Sequence, residues 1–158
     1  KKVVELNSID DEIDESVFTD ADIKKHIPKR KGFKILLAED NLINQKVAIR
    51  TLNSAGYEVD AVLNGEQAVR AFTEHNYDLV LMDIQMPVMD GLTATKTIRE
   101  RFNKKRQPFI VALTADALQQ SKNDYLNQGV DDLLYKPVQT KALMQLLAKC
   151  QRLDRSRW

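Results

Sequence analysis

Asp78-Leu79-Val80-Leu81-Met82-Asp83-Ile84-Gln85-Met86-Pro87-Val88-Met89-Asp90-Gly91 is the stretch on which the fold turns. An unbroken apolar run, Leu79 to Met82, ends at an acid, and Pro87, Asp90 and Gly91 then supply loop and turn chemistry. A short continuous apolar run followed by turn residues reads as a strand buried on both faces, as in a parallel sheet. Asp83 then stands at the carboxyl end of that strand, where an open α/β sheet carries its reactive groups.

Three other runs end in the same manner. Phe33-Lys34-Ile35-Leu36-Leu37-Ala38 stops at Glu39-Asp40, Phe109-Ile110-Val111-Ala112-Leu113 at Thr114, and Leu133-Leu134-Tyr135 at Lys136-Pro137. Tyr57 to Val62 alternates as a half-buried strand. Helical patterns fill the gaps. Asn41 opens one with Val47, Ala48, Leu52 and Ala55 on its buried face, closed by Gly56. Asn64 caps a second, with Gln67 three residues on and Ala68, Val69 and Phe72 inward. A third runs from Leu92 to Phe102, with Ala94, Ile98 and Phe102 inward. A fourth runs from Asp116 to Asn127 and stops at Gly129, and a last starts at Thr140 and buries Leu143, Met144 and Leu147. Five βα units in alternation imply a doubly wound parallel sheet with helices on both faces. The fourth helix has little to bury between Leu118 and Asp124, so it is weakly held and a candidate moving part.

The 158 residues suffice for one domain. Residues 1–32 read as a leader or linker: every charge from Val3 to Ile23 is negative, and Lys24 to Lys31 reverses the sign. Residues 33–150 form the domain and 151–158 a short tail. A net charge of +1 gives no steering toward nucleic acid. No apolar stretch approaches the ~20 residues of a membrane span, and no signal-peptide pattern appears. The single cysteine, Cys150, excludes an internal disulfide and fits a reducing, cytoplasmic setting for this stretch.

Glu39, Asp40 and Asp83 should meet at one sheet edge. Three clustered carboxylates repel unless a cation joins them. With no histidine or cysteine near, the donor set is all oxygen and selects a hard ion, magnesium before others. Lys136 can pair with a carboxylate or neutralise a phosphoryl oxygen, and Pro137 restricts its backbone. Thr114 offers a hydroxyl. Phosphoryl transfer needs little beyond alignment and charge neutralisation, so Asp83 can be the nucleophile. Gln85 and Asp116 flank the site and bear on the attacking water that would remove the phosphate.

These motifs resemble the receiver domain of two-component response regulators over about Lys34 to Ala148. They are Ile35-Leu36-Leu37-Ala38-Glu39-Asp40-Asn41, Met82-Asp83 through Asp90-Gly91, Ala112-Leu113-Thr114-Ala115 and Tyr135-Lys136-Pro137. The resemblance implies a flavodoxin-like fold, Asp83 as phosphoacceptor, and Asp83, Thr114 and Lys136 as the catalytic set. It implies Mg2+ on Asp40, Asp83 and the Gln85 carbonyl, with Glu39 acting partly through water, and a cis Lys136-Pro137 bond. The wording from Glu39 to Ala48 and from Gln85 to Gly91 is most similar to receivers fused to hybrid sensor histidine kinases. That implies a phospho-histidine donor, on a kinase core or a histidine phosphotransfer domain, and leaves a homodimer open. The chain departs from the family at Leu133, three residues before Lys136, where an aromatic that swings inward on activation is common.

Other readings fit less well. A haloacid-dehalogenase-type phosphatase needs a second Asp where Gln85 stands, and a flavodoxin-like cofactor binder needs a phosphate-cradling loop. A kinase core is excluded for this stretch, since His26 and His75 are the only histidines and neither lies in a phosphoacceptor motif. A non-phosphorylated docking module is the remaining alternative.

Overall fold

The computed structural model describes residues 32–115 and 121–152. Five strands, Lys34–Ala38 (β1), Glu58–Val62 (β2), Leu79–Asp83 (β3), Phe109–Thr114 (β4) and Asp132–Tyr135 (β5), form one parallel sheet. Their order is β2-β1-β3-β4-β5. Every residue of β3 and β4 is buried, which is why those segments read as unbroken apolar runs. β2 lies at an edge, and its burial is only partial.

Among the described residues, five α-helices follow the strands: Leu42–Ser54 (α1), Gly65–Glu74 (α2), Gly91–Arg101 (α3), Lys122–Asn127 (α4) and Thr140–Arg152 (α5). Successive strand residues point to opposite faces, so the sheet feeds two cores. Ile35, Leu81 and Val111 pack with Leu52 of α1 and with Leu143, Leu147 and Cys150 of α5. Leu36, Val80 and Ile110 pack with Phe72 of α2, Ile98 of α3 and Tyr125 of α4. Helices therefore cover both faces, as the βα alternation predicts. Among the described residues, no helix is long and apolar enough to cross a membrane.

The turns leaving the strands are fixed by side-chain caps. Asn41 Oδ1 accepts from the Ile43 and Asn44 N–H groups, each at 3.0 Å. Asp90 Oδ1 accepts from Thr93 N–H at 2.8 Å. Asn64 Oδ1 accepts from Gln67 N–H at 2.8 Å, and Gln67 Oε1 accepts in return from Leu63 N–H at 2.9 Å. The reciprocal bond thus lands one residue before the cap, a variant of the capping box. Gly56, at φ 88, ends α1 in the left-handed conformation its sequence position called for.

Two helical expectations are corrected. Val47 does not join the buried face of α1: it is 62% exposed, and Leu52 is the buried anchor, with Ala48 and Ile49 packed beside it. Five residues along a helix is about 140° around its axis, which turns Val47 away from Leu52. The fourth helix does not run unbroken from Asp116 to Asn127. Ser121 is extended (φ −71, ψ 159) and caps α4 from outside, its side chain and that of Asp124 exchanging bonds with each other's backbone N–H. Residues 116–120, including Asp116, lie outside the described residues, as do 1–31 and 153–158.

One guanidinium ties α3 to the β4 and β5 side. Arg99 Nε donates to the Gly129 carbonyl at 2.9 Å, Nη1 to Gln107 Oε1 and the Pro108 carbonyl at 2.9 Å, and Nη2 to Asp131 Oδ2 at 2.7 Å. Truncation would remove all four bonds, with only Asp131 Oδ2 keeping a second donor, the Ile110 N–H at 2.8 Å. Arg99→Ala is expected to cost about 2–3 kcal/mol, read from the denaturation midpoint. A loss under about 0.5 kcal/mol would show that water replaces the guanidinium freely.

Asp132 joins three elements. Its carboxylate pairs with Lys149 of α5 at 3.1 Å and, in a more exposed contact, with Lys122 of α4 at 3.3 Å. Burial raises its pKa, but the Leu133 N–H and the two lysines outweigh burial and hold it below the usual range. A lowered folded-state pKa contributes stability above the unfolded value of about 3.9, lost as pH falls through the folded value. Asp132→Asn keeps the acceptor and removes the charge. Wild type should melt above the variant at pH 7, and the gap should close on acidification below about pH 4. A pH-independent gap would assign the effect to packing.

Candidate functional site

The carboxyl ends of β1, β3, β4 and β5 converge on one cleft of about 370 Å³. Glu39 follows β1 and is 3% exposed. Its Oε1 accepts from Asn41 N–H at 3.1 Å, and its Oε2 pairs with Lys136 Nζ at 3.0 Å. Gln45, on the first turns of α1, donates to the carbonyls of Glu39 (3.3 Å) and Val62 (3.1 Å), which pins the acidic turn to the neighbouring strand. Asp40 is exposed at the cleft mouth.

Asp83 ends the central strand and is 3% exposed. Its Oδ1 accepts from Gln85 N–H at 3.2 Å, and its Oδ2 pairs with Lys136 Nζ at 2.6 Å. Thr114 ends β4, is buried, and its carbonyl accepts from Lys136 N–H at 2.8 Å. Lys136 follows β5, and its bond to Pro137 is cis, as the resemblance implies. The structure thus brings Glu39, Asp40, Asp83, Gln85, Thr114 and Lys136 to the rim of one cleft.

Oxygen atoms of Glu39, Asp40 and Asp83 lie within 4.8 Å of one another. Three carboxylates face one ammonium, so the cleft is short of positive charge. Glu39 registers this shortage. Burial raises its carboxyl pKa, bonds from Lys136 and the Asn41 N–H oppose the rise, and the charge of Asp83 adds to it. Desolvation alone would lower the Lys136 pKa, but its bonds to Asp83 and Glu39 prevail and hold it above the ordinary lysine value. Lys136 is therefore a fixed cation across the neutral range. The donor set fits a hard divalent cation: all oxygen, three acids within one ion's reach, and no histidine or cysteine among them.

Sequence reading missed Asn44 in the cleft lining and Gln45, which braces the Glu39 carbonyl beside it. Both are polar positions on the first turns of α1, and their place just after an acidic strand end was the available signal. Tyr125 also lines the cleft. It and Leu126 are the two hydrophobic residues of a six-residue helix, a pattern that gave only a thin stripe.

A parallel sheet ordered 2-1-3-4-5 with an acid trio and a lysine at its carboxyl edge defines a receiver. Residues 35–148 match the response regulator receiver domain family, and the chain belongs to it. It is 40% identical over 127 residues to hybrid signal transduction histidine kinase G of Dictyostelium discoideum, covering 79% of this chain and 4% of that protein. The chain therefore spans a small part of that relative. Among solved structures, it is similar to the receiver domain of a Pseudomonas aeruginosa sensor histidine kinase with magnesium in the active-site cleft. That match has 44% identity and a TM-score of 0.68, covering 76% of this chain and 98% of the other. It is also similar to the receiver domain of Saccharomyces cerevisiae Ssk1, crystallised with the histidine phosphotransfer protein Ypd1. Identity there is 34% and the TM-score 0.69, over 79% of this chain and 90% of the other.

Proposed function

We propose that Asp83 accepts a phosphoryl group from a phospho-histidine partner and that the resulting acyl phosphate switches the domain's interactions. The observation that carries this reading is the Asp83 carboxylate, buried at the end of the central strand and held 2.6 Å from Lys136 Nζ. An Asp83 oxygen forms the new bond to phosphorus while the bond from phosphorus to the imidazole nitrogen breaks. The imidazole leaves with the bonding electrons and takes up a proton. Gln85 N–H and Lys136 orient the carboxylate before attack, and Lys136 stays to balance charge on the phosphoryl oxygens. Thr114, at the end of β4, is placed to donate its hydroxyl to the product.

Glu39, Asp40, Asp83 and the Gln85 carbonyl would hold Mg2+. When bound, the ion neutralises charge spread over the phosphoryl oxygens. A histidine phosphotransfer domain or a kinase core supplies the donor in this reading, in line with the relatives' names. Residues 1–32 would tether the domain to such a core on the cytoplasmic side.

Intact mass tests the proposal directly. With magnesium and acetyl phosphate, the protein should gain one labile phosphate, and chelation with EDTA should prevent it. No adduct from acetyl phosphate or from a phosphorylated histidine phosphotransfer protein would refute it.

A further inference from the structure

The position three residues before Lys136 holds Leu133, which is buried and has no ring to swing. An aromatic ring reaches the cleft from another element. Tyr125 of α4 is 5% exposed and lines the same cleft as Asp83, Thr114 and Lys136. It shares a core layer with Leu133. It is also the one buried residue of α4.

The rest of α4 is loosely held. The helix has six residues, and its capping box is internal to its own first turn. Its ion pair to Asp132 comes from Lys122, which is 58% exposed and so contributes little. The position of α4 on the sheet therefore follows the position of Tyr125. A helix with one anchor moves when the anchor's surroundings change.

We propose that Tyr125 is the positioning residue through which the phosphorylation state of Asp83 reaches α4, in the role an aromatic at position 133 would otherwise fill. The inference rests on phosphorylation of Asp83. An acyl phosphate brings about −1.5 to −2 charges and three acceptor oxygens into the cleft. Lys136 and Thr114 turn toward it, and both border the cleft with Tyr125. The space open to the ring changes, and α4 moves with the ring.

The test uses protein labelled with 3-fluorotyrosine. The chain has four tyrosines, and Tyr125→Phe assigns the relevant resonance. Acetyl phosphate and magnesium are added, and phosphate is counted by intact mass in the same sample. The Tyr125 resonance should shift in step with the phosphate fraction. In Tyr125→Leu, amide shifts across residues 122–127, normalised to phosphate bound, should fall several-fold. The double variant Tyr125→Leu/Leu133→Tyr should recover them. A fluorine resonance that stays put while the mass shows phosphate overturns the proposal, as do undiminished α4 shifts in Tyr125→Leu. If Tyr125→Leu does not fold, the fluorine result on unsubstituted protein decides alone. If that protein takes no phosphate from any donor, the proposed function falls, and this assignment with it.

Discussion

Asp83→Asn is expected to eliminate the phosphate adduct, a loss on the order of 10²-fold or more in adduct formed under matched conditions. The variant is nearly isosteric. It keeps an oxygen to accept the Gln85 N–H and removes only the charge, and with it the ion pair to Lys136. An amide oxygen is a poor nucleophile, and an amide nitrogen adds none at neutral pH. Glu39 and Asp40 remain within reach of an incoming phosphoryl group, so they serve as an internal control. If the variant still gained a magnesium-dependent phosphate, one of those acids would be the acceptor. Fragmentation of the adduct would then show which one.

The second large effect concerns the fold beneath the site. Gly91→Ala is expected to cost about 3 kcal/mol, a fall in melting temperature on the order of 10 °C. Gly91 N–H donates to the Ile84 carbonyl at 2.9 Å, which brings the first turn of α3 against the end of β3. A Cβ there would collide with the Asp83 carbonyl oxygen and lie 2.8 Å from Met82 Cγ. The obstacle at Asp83 is backbone, so no rotamer change relieves it. Relief would require α3 to back away or the Asp83 strand end to shift, and the second route would also slow phosphorylation. A melting temperature within about 2 °C of wild type would show that the loop absorbs the methyl group.

How much of this was legible beforehand varied with the kind of residue. Glu39, Asp83, Thr114 and Lys136 stand where apolar runs stop, and β3 and β4 are buried on both faces, so their ends were plain in the sequence. Val47 was misplaced because an apolar side chain beside the true stripe differs from a core residue only in angle around the helix. The fourth helix was drawn unbroken across Ser121 because its pattern did not show that Ser121 and Asp124 cap each other's backbone N–H there. Tyr125 was passed over for a related reason. Its burial comes from packing with residues of β4 and β5, and within its own helix only Leu126 stands beside it as an apolar residue.

The bond between Lys136 and Asp83 spans 53 residues, and it is made by the last strand of the sheet. Closing a loop of that length costs chain entropy before the contact returns anything. Until β5 docks, Glu39 and Asp83 confront each other with no ammonium between them. The acids thus work against the unfinished sheet, and the arrival of Lys136 relieves them. If Asp83 accepts phosphate as proposed, a chain without β5 in place would lack the ammonium that its acceptor pairs with.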